Sequence, residues 1–430
     1  MRSNANQAVP SMHDRSLLLF DLGHTGHHPA YLRHIVQYWH QHQISGCLDL
    51  IVSPEFARKH PDLMALAKPT GVSSVRFTIV TEAEYDRYRN AKSTIARSWQ
   101  EWRIFCDYAK QLKPTQALLM YLDSLQLPLA FGERPPCPVS GIYFRPSFHY
   151  HRFSPESQPD RLKQWRQTAI VNQILRRSQF NTLFCLDQFA VPEIQRFAQK
   201  PILPIADPVE LSACEPIEVQ SLRQQLEISL DRHVFLLFGE LSGRKGIHQV
   251  LQAMSLLSRD SQSQVCLVLA GPVNRSAESI RAEIEQLRQT TQVQIVLCDR
   301  YIKGAELQQF FELADTVLAP YQKHVGMSSI LVHAAATHKP ILASNYGLLG
   351  KLVEQYQLGL AIRAEDPNEI AQSIEQRLQI STESLCNVEK MDEFAQLNLA
   401  EKFAETLIVQ LVDRTFRAQS QEDRSYAQKS

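Results

Sequence analysis

The segment ADTVLAPYQKHVGMSSILVHAAATHKPILAS, residues 314–344, joins two short apolar strands through a loop and a helix. The strands are predicted at 316–320 and 340–344, where apolar runs are bounded by turn residues. Three alanines at 334–336 are small enough for the helix to pack closely on a sheet. Because neighbouring parallel strands need a crossover connection, which is usually a helix, the segment predicts one unit of a parallel α/β sheet.

The same alternation of strand and helix runs through the rest of the chain in two series. Strands are predicted in the first series at 16–21, 47–52, 74–80, 116–121, 139–144, 182–186 and 201–205, and in the second series at 234–239, 265–271, 293–297, 316–320, 340–344 and 358–362. We therefore predict the fold class α/β, with two Rossmann-like doubly wound parallel sheets that face a central cleft.

The stretch between the two series, ADPVELSACEP at 206–216, has two prolines and no helical period, which is typical of a linker. The predicted domains are residues 1–207 and 208–388. A helical segment is predicted at 389–417, and residues 418–430 are predicted to be a flexible tail. The sequence leaves open whether the helical segment crosses back to the first domain.

Charge and hydropathy exclude several classes of protein. The chain has 45 Lys and Arg and 45 Asp and Glu, so its formal net charge is zero and no global field attracts nucleic acid. Its longest apolar runs are far shorter than the ~20 residues of a membrane-spanning helix, and the first residues show no signal-peptide pattern. We therefore expect a cytoplasmic protein without a nucleic-acid partner.

One segment, RLKQWRQTAIVNQILRRSQ at 161–179, combines basic residues with apolar residues at helical spacing. The apolar positions Leu162, Trp165, Ala169 and Ile174 would form a stripe along one side of a helix. Packing of this stripe on the domain's own sheet is the preferred interpretation. The alternative is a weak peripheral contact with anionic lipid at the inner membrane face.

The loop after the first strand, in FDLGHTGHHPAYL at 20–32, contains two glycines and three histidines. Gly23 and Gly26 let the backbone approach a polar or anionic ligand at the following helix start, although an ordinary tight turn explains them equally well. His27 and His28 are expected to contact the ligand. A zinc site that includes His24 is disfavoured because no carboxylate or cysteine accompanies the histidines in the loop, so no metal is predicted.

Two polar residues follow later strands of the first series. Asp123 comes after the strand at 116–121 and should face the cleft, where a carboxylate can accept a proton or hold a sugar hydroxyl. Capping of the next helix is the alternative for Asp123. Arg145 ends the strand at 139–144, and it is expected either to bind an anionic acceptor or to form a surface ion pair.

In the second series, Arg244 and Lys245 lie on the loop after the strand at 234–239, just before a helix. Cationic groups at this edge of a sheet can neutralise a diphosphate. The loop after the strand at 316–320 ends in a helix that begins at Ser328 or Ser329, both good capping residues. Amides at that helix start would suit a pyrophosphate, with an ordinary capped helix as the alternative. They belong to Gly326, Met327, Ser328 and Ser329.

These stretches resemble a known family. The segments LFGELSGRKGIHQVLQA (237–253), LVLAGP (267–272) and 312–344 are similar to the donor half of GT-B glycosyltransferases, with the retaining family 4 (glycosyl transferases group 1) as the nearest match. HTGHHPAYL (24–32) resembles the glycine loop after the first strand in that family. The resemblance implies a GT-B fold, with an acceptor-side first domain and a nucleotide-sugar-binding second domain.

The resemblance also implies roles for individual residues. Lys245 would contact the donor diphosphate, together with the amides of residues 326–329. Glu240 stands where the family usually has an arginine, and Arg244 would replace it. Main-chain groups at Arg300, Tyr301 and Ile302 would meet the nucleobase, on which Tyr301 could stack.

Two positions depart from the family pattern. Val325 and His333 occupy the places of the two glutamates that usually hold the donor sugar and the ribose. His333 can still hydrogen-bond a ribose hydroxyl, and His324 could contact the sugar, but neither supplies the expected negative charge.

The function implied is transfer of a sugar from a nucleoside diphosphate to a carbohydrate or lipid-linked acceptor, in polysaccharide biosynthesis and with retained anomeric configuration. Lys245 would stabilise the charge of the departing phosphate and Asp123 would direct the acceptor hydroxyl, so that no metal and no cofactor beyond the nucleotide sugar is needed. The acceptor would meet His27, His28 and Arg145. A sugar-nucleotide epimerase and a noncatalytic nucleotide- or glycan-binding protein remain alternatives.

Overall fold

The computed structural model describes residues 16–146, 161–273 and 277–412, and these residues form two compact units. The first unit contains the described residues up to Ala206 together with those from Ala400 onward. The second unit contains residues from Asp207 to Leu399. The predicted tail at 418–430 lies outside the described residues.

The first unit is built on a seven-stranded parallel sheet with strand order β3-β2-β1-β4-β5-β6-β7. Its strands are β1 (Ser16–Phe20), β2 (Gly46–Val52), β3 (Ser73–Ile79), β4 (Gln116–Leu119), β5 (Val139–Tyr143), β6 (Phe180–Cys185) and β7 (Ile202–Pro204). Every residue of β2 and β4 is buried, because helices cover both faces of the sheet.

The helices of the first unit connect these strands. They are α1 (His28–Gln41), α2 (Pro54–Lys59), α3 (Pro61–Met64), α4 (Glu82–Arg89), α5 (Thr94–Leu112), α6 (Leu122–Phe131), α7 (Arg161–Leu175) and α8 (Ala190–Gln195). A last helix, at 400–412, returns from the end of the chain and buries Phe403, Leu407 and Leu411 in the core with Leu17 and Trp39. The first unit is therefore completed by the carboxy-terminal part of the sequence.

The second unit is built on a six-stranded parallel sheet with strand order β10-β9-β8-β11-β12-β13. Its strands are β8 (His233–Phe238), β9 (Val265–Ala270), β10 (Gln294–Cys298), β11 (Thr316–Ala319), β12 (Ile341–Ser344) and β13 (Gly359–Ile362). Its helices are α9 (Pro216–Gln225), α10 (Ile247–Leu256), α11 (Arg259–Gln264), α12 (Ala277–Thr290), α13 (Ala305–Leu313), α14 (Ser329–Ala336), α15 (Gly347–Tyr356), α16 (Pro367–Gln379), α17 (Thr382–Leu385) and α18 (Val388–Leu397).

Each sheet reverses its strand order at one point. The reversal lies between β1 and β4 in the first unit and between β8 and β11 in the second unit. Ligands of doubly wound sheets bind beside the carboxyl ends of the two strands at such a switch point. The loops that follow these four strands are therefore the places where a functional site is expected in each unit.

The fold class predicted from the sequence is confirmed, and each of the thirteen predicted strands is present to within two residues at either end. The helical segment predicted as one piece at 389–417 is wrong in detail. Helix α18 ends at Leu397, and Leu399 pairs with Val209 before the next helix begins at 400. The break lies where the chain leaves the second unit for the first, and residues 413–417 lie outside the described part.

The preferred interpretation of α7 is also wrong for its first two turns. Ile174 is buried in the core, as predicted, but Leu162 is 73% exposed and Trp165 is 69% exposed. Ala169 is exposed as well. The helix is longer than the core that it covers, so only its second half is packed on the sheet. Among the described residues no helix has the length and apolar character needed to span a membrane.

Candidate functional site

In the second unit, a short 3-10 turn at Gly243–Lys245 places Lys245 against the end of β11. Gly246 follows the turn with φ +76°, and a Cβ atom at this position would lie 2.1 Å from the carbonyl oxygen of Pro320. The amide of Gln322 donates to the carbonyl of Arg244 at 2.9 Å. Only glycine lets the backbone at position 246 lie this close to Pro320. These contacts join the loop after β8 to the loop after β11.

The side chain of Lys245 is buried at the junction of these loops. Its Nζ donates to the hydroxyl of Tyr321 and lies 4.2 Å from the centre of the Tyr321 ring. The Tyr321 hydroxyl is in turn 3.1 Å from Oγ of Ser328. No Asp or Glu of the described residues comes within 4.0 Å of Lys245. A buried cation without a countercharge is stabilised by an anionic ligand.

The start of α14 offers hydrogen-bond donors beside Lys245. Ser328 occupies the N-cap position, but its side chain does not cap the helix, because its Oγ contacts Tyr321 instead. The capping predicted for this serine is therefore wrong. Within the described residues, the backbone N–H groups of residues 326–329 have no acceptor. Unpaired N–H groups at a helix start form a binding site for an anion.

Helix α15 holds the loop that carries these amides. Gly347, its first residue, has no room for a side chain, because a Cβ atom would lie 2.7 Å from the carbonyl oxygen of His324. The amide of Leu348 donates to the carbonyl of Val325 at 3.2 Å. Nε2 of His324 lies 3.2 Å from the carbonyl oxygen of Met327. The ring of His324, which is predicted to contact the sugar, is thus already hydrogen-bonded within the loop.

His333 lies one turn beyond Ser329 on α14, and its ring is buried 5.0 Å from the ring of Phe311. Burial lowers the pKa of His333 to about 4, so the imidazole is neutral at pH 7. Its Nδ1 has no hydrogen-bond partner among the described residues. A buried polar atom without a partner is costly, and a ligand hydroxyl would satisfy it.

The predicted base-binding loop follows β10, which is separated from β8 by β9. Adjacent strands are about 4.8 Å apart, so this loop begins about 10 Å from the loop of Lys245. Tyr301 is 74% exposed, Ile302 is buried, and Arg300 forms an ion pair with Glu306 (Nη1 to Oε2, 2.7 Å). Arg244 is exposed, with its guanidinium carbon 5.8 Å from the centre of the Tyr321 ring.

In the first unit, the loop after β1 is organised by Asp21. Its carboxylate accepts from the amide of Gly23 at 2.8 Å and is 2.8 Å from Nδ1 of His28. A Cβ atom on Gly23 would lie 2.3 Å from the same ring nitrogen, so a larger residue would displace His28. Burial alone would lower the pKa of His28, but the hydrogen bond and the charge of Asp21 outweigh it and raise that pKa.

His27 is part of a stack of rings from two loops and a helix. Its ring centre is 4.8 Å from that of Phe144, 5.0 Å from that of Tyr31 and 4.7 Å from that of His28. Burial lowers the pKa of His27 to about 4, and the neighbouring His28 acts in the same direction. Its Nε2 is buried without a hydrogen-bond partner in the part of the chain that the structure describes.

Asp123 lies in the first turn of α6, beside the stack. Its two oxygens accept from the backbone N–H groups of Phe144 and Arg145 at 2.8 and 3.0 Å. Burial raises the pKa of Asp123 to about 6, although these two N–H groups act against the rise. The structure thus brings Asp123, His27 and Arg145 together, and it gives Asp123 a positioning contact with the loop after β5.

The three histidines of the loop have separate partners. Nδ1 of His24 is 3.3 Å from Glu55, His27 stacks on rings, and His28 pairs with Asp21. No cluster of three or more His, Cys, Asp or Glu side chains suited to a metal ion occurs in the described ranges.

Sequence reasoning missed three residues of these sites. Tyr321, which directly follows the strand-ending Pro320, and Asp21, which ends the predicted first strand, could have been found from their positions. Glu101 could not, because it occupies an ordinary helical position in α5. It is fully buried, and burial, together with the charge of Asp21, raises the pKa of Glu101 to about 8.

The two doubly wound sheets match those of solved GT-B structures. HepE from Anabaena in complex with UDP superimposes with a TM-score of 0.64 at 16% identity, over 93% of this chain and 100% of that one. Its complex with UDP and glucose gives a TM-score of 0.56 at 16% identity, over 94% and 100% of the two chains. The fold is therefore the GT-B fold.

Residues 218–395 match the family model described as glycosyl transferases group 1. Residues 218–395 are thus similar to this family, and the resemblance to GT-B glycosyltransferases stated from the sequence is confirmed at that level. Assignment to the retaining family 4 stays a prediction.

Two curated relatives share part of their sequence with this chain. A lipopolysaccharide 1,2-N-acetylglucosaminetransferase from Salmonella typhimurium is 31% identical over 137 residues, which is 31% of this chain and 35% of that protein. A D-inositol 3-phosphate glycosyltransferase from Corynebacterium urealyticum is 27% identical over 199 residues, 45% of each. The chain thus spans between a third and a half of the length of these curated relatives.

Proposed function

We propose that the protein is a glycosyltransferase that moves a sugar from a nucleoside diphosphate to a carbohydrate or lipid-linked acceptor. The observation that carries this proposal is the buried Lys245 beside the unpaired amides of residues 326–329, at the switch point of the second unit. One cation and a row of N–H groups match the charge and the oxygen atoms of a diphosphate. This site lies inside the segment that matches glycosyl transferases group 1.

In this proposal Lys245 and the helix-start amides stabilise the negative charge that develops on the departing diphosphate. His333 supplies its unpartnered Nδ1 to a hydroxyl of the donor, and the exposed ring of Tyr301 stacks on the base. The first unit holds the acceptor through His27, His28 and Arg145. Asp123 directs the acceptor hydroxyl by fixing the loop of Arg145, to whose backbone it is bonded.

The finer points of the proposal are the donor, the stereochemistry and the setting. Uridine diphosphate sugars are the first donors to test, because HepE binds UDP. Retention of anomeric configuration and a role in polysaccharide biosynthesis in the cytoplasm follow from the resemblance to family 4. We propose metal-independent transfer, because protein cations and amides occupy the place where charge develops.

The experiment that tests the function is a calorimetric screen of nucleoside diphosphates and their sugars, followed by product analysis with each donor that binds. We expect a diphosphate nucleotide to bind more tightly than the corresponding nucleoside, and a glycosylated product to form on addition of an acceptor. Chelation with EDTA should leave the rate unchanged. Absence of binding by every nucleoside diphosphate would reject the proposal.

A noncatalytic or isomerising protein is the second candidate, favoured by one observation. Val325 and the neutral, buried His333 occupy the places where the family has two glutamates, so the charge that normally grips the sugar is absent from these positions. A changed sugar nucleotide without an added acceptor would indicate an epimerase. Binding without any turnover would indicate a nucleotide- or glycan-binding protein.

A further inference from the structure

Helix α7 has an inner side that is packed and an outer side that is exposed. Val171, Ile174 and Leu175 on the inner side are buried in the core of the first unit. Successive residues of an α-helix are 100° apart around its axis. On this basis the residues of the outer side extend from the first turn of α7 to just beyond its last turn. We call this row the α7 face, and it consists of Leu162, Trp165, Arg166, Ala169, Gln173 and Arg176, all exposed.

The apolar residues of the α7 face are exposed, and none of them belongs to the hydrophobic core of the described residues. Two large side chains, Leu162 and Trp165, each leave more than two thirds of their surface in water. Exposed apolar surface costs about 25 cal/mol per Å² relative to buried surface. A tryptophan and a leucine side by side with arginine form the pattern of a helix that lies in a lipid–water interface.

The end of α7 and the loop after α6 form a shallow hollow with a volume of ≈ 380 Å³. We call it the arginine hollow, and its lining residues are Gly132, Arg134, Gln173, Arg176, Arg177, Ser178 and Gln179. The lining contains three arginines and no acidic residue. Glu133, which is adjacent in sequence, is neutralised by an ion pair with Lys110.

The guanidinium of Arg177 is fixed within this hollow. Its Nη2 donates to the carbonyls of Ala130 and Gly132 at 3.0 and 2.8 Å, whereas its Nη1 has no acceptor in the described part of the chain. Burial lowers the pKa of Arg177, and the charge of Arg134 lowers it further. None of Arg134, Arg176 and Arg177 forms an ion pair with another described residue. Cations so close together favour an anion between them.

Two aromatic residues lie near Gly132, which lines the arginine hollow. Phe131, at the end of α6 and adjacent to Gly132 in sequence, is 61% exposed. A Cβ atom on Gly132 would lie 2.7 Å from the ring of Trp99, so this ring is close to one lining residue of the hollow. Apolar groups therefore lie near the cluster of positive charge both along α7 and at Gly132.

We propose that the α7 face and the arginine hollow together dock the first unit onto an anionic lipid bilayer. Headgroup phosphates occupy the hollow, and Trp165, Leu162 and Phe131 enter the interface between headgroups and acyl chains. The full chain has no net charge, so this concentration of arginine is local rather than part of a general basic character. The proposal does not depend on sugar transfer, and docking requires no donor.

The charge pattern favours a bilayer over other partners. A nucleic-acid site would call for a basic groove or stripe long enough to follow a phosphate backbone. Here the three arginines line one shallow hollow, and the large exposed side chains near it include the aliphatic Leu162, on which a base does not stack. Near an anionic bilayer each arginine contributes about 1 kcal/mol, and each inserted aromatic ring adds apolar transfer energy. Both contributions are available here at the same time.

The test is flotation of the full chain with phosphatidylcholine vesicles, with and without phosphatidylglycerol, at low and high ionic strength. We expect binding only to the anionic vesicles, and weaker binding at high salt. The double variant Arg134→Gln/Arg176→Gln should lower the vesicle partition coefficient about 25-fold, because each arginine is worth about fivefold. Trp165→Ser should lower it about tenfold.

Matched control variants come from the second unit. Leu230, which is 89% exposed, and Arg259, which is exposed and has no ion pair with a described residue, lie outside the α7 face. Leu230→Ser and Arg259→Gln should bind vesicles like the unaltered protein. All of these residues are at the surface, and circular dichroism checks that each variant is folded.

Tryptophan fluorescence locates the contact. Of the four tryptophans, Trp39 and Trp102 are buried and Trp165 is the most exposed. Vesicles should shift the emission to shorter wavelength, and Trp165→Phe should reduce this shift while binding persists. Absence of binding to anionic vesicles, equal binding to phosphatidylcholine alone, or equal losses in the test and control variants would each overturn the proposal.

Discussion

In the first unit the loops at the switch point carry buried carboxyl groups and stacked rings, whereas in the second unit the equivalent loops carry a lysine and unpaired amides. Asp21 and Asp123 follow β1 and β4, and their oxygens are bonded to the loops around them. Lys245 and residues 326–329 follow β8 and β11. The strand topology of the two sites is the same, but the first site has carboxylates beside His28 and Arg145, whereas the second has a buried lysine without a carboxylate partner among the described residues.

Under the proposed function, this difference indicates how the two units would divide the binding of donor and acceptor. The lysine and amides of the second switch point stabilise an anion, whereas the carboxylates of the first offer hydrogen-bond acceptors. The flat rings and hydrogen-bonding groups of the first switch point suit a neutral acceptor with several hydroxyls. In a GT-B protein the topology thus places two sites, and the side chains of four loops determine what each of them binds.

The largest effect is expected at Glu101 in the first unit. The pKa of Glu101 is raised to about 8 in the folded protein, above its ordinary value of 4.5, so the folded state retains a proton that the unfolded state releases. Stability should therefore fall as the pH rises from 4.5 towards 8. Glu101→Gln keeps the neutral form and should raise the free energy of unfolding by about 3 to 5 kcal/mol above pH 8.

The measurement for Glu101 is denaturant unfolding of both proteins at acidic and alkaline pH. Below the unfolded pKa the two stabilities should differ little, because the glutamic acid is then protonated in both states. Asp86→Asn, at an exposed position of the same unit, is the control and should show no such pH dependence. Equal stabilities of the glutamine variant and the unaltered protein at alkaline pH would contradict the prediction.

The next largest effect is expected at Lys245 in the second unit. Lys245→Met keeps the apolar stem and removes the charge. It should weaken nucleoside diphosphate binding by about 1.5 to 3 kcal/mol, the value of a hydrogen bond to a charged group. Calorimetry with a nucleoside diphosphate and with the nucleoside alone measures the effect, and only the diphosphate should lose affinity.

Lys351→Met is the control for Lys245→Met. Lys351 lies on α15 of the same unit and pairs with Glu354 at the surface. We expect unchanged nucleotide affinity for this variant. Lys245→Met should unfold no more easily than the unaltered protein, since it removes a buried charge without a described carboxylate partner. If the nucleoside and the diphosphate lost affinity equally, Lys245 would not be the phosphate ligand.

A smaller effect is expected at Tyr321, whose hydroxyl links Lys245 to Ser328. Tyr321→Phe removes this link and keeps the ring against which Lys245 lies. It should weaken diphosphate binding by about 0.5 to 1.5 kcal/mol, because Nζ of Lys245 is then less well oriented. Tyr346→Phe serves as the control, and a loss of the same size in both variants would exclude a specific role for the Tyr321 hydroxyl.

The sequence predicts the sheets well because buried parallel strands appear as short apolar runs between helices. The runs at VFLLF and VCLVLA are two such cases. The placement of Lys245 near the loop at 326–329 could also be predicted, since a cation and a glycine that follow two strands are recognisable in the sequence, whereas their role in binding stays a prediction. Asp123 was found as well, but its bonds to the loop after β5 depend on a strand neighbour that the sequence does not reveal.

Side-chain partners and burial could not be predicted in the same way. Ser328 has the sequence of a helix cap, yet the hydroxyl of Tyr321 draws its side chain away. Trp165 has the spacing of a core residue, yet the core ends before it. In both cases the local pattern is compatible with two arrangements, and tertiary neighbours decide between them.

An effect of similar or smaller size is expected at Asp21, whose replacement should destabilise the fold, in contrast to the replacement of Glu101. The pKa of His28 is raised above 6.5 in the folded protein by its bond to Asp21, so the pair stabilises the fold below pH 6.5. This contribution is lost as the pH rises through the folded-state pKa. Asp21→Asn should therefore destabilise the protein by about 1 kcal/mol at acidic pH and by less at alkaline pH. Denaturant unfolding at acidic and at alkaline pH measures the change in stability, and an NMR titration of the His28 ring follows its pKa. Equal destabilisation at both would mean that Asp21 acts only through the amide of Gly23, as a structural ligand of the loop rather than as the countercharge of His28.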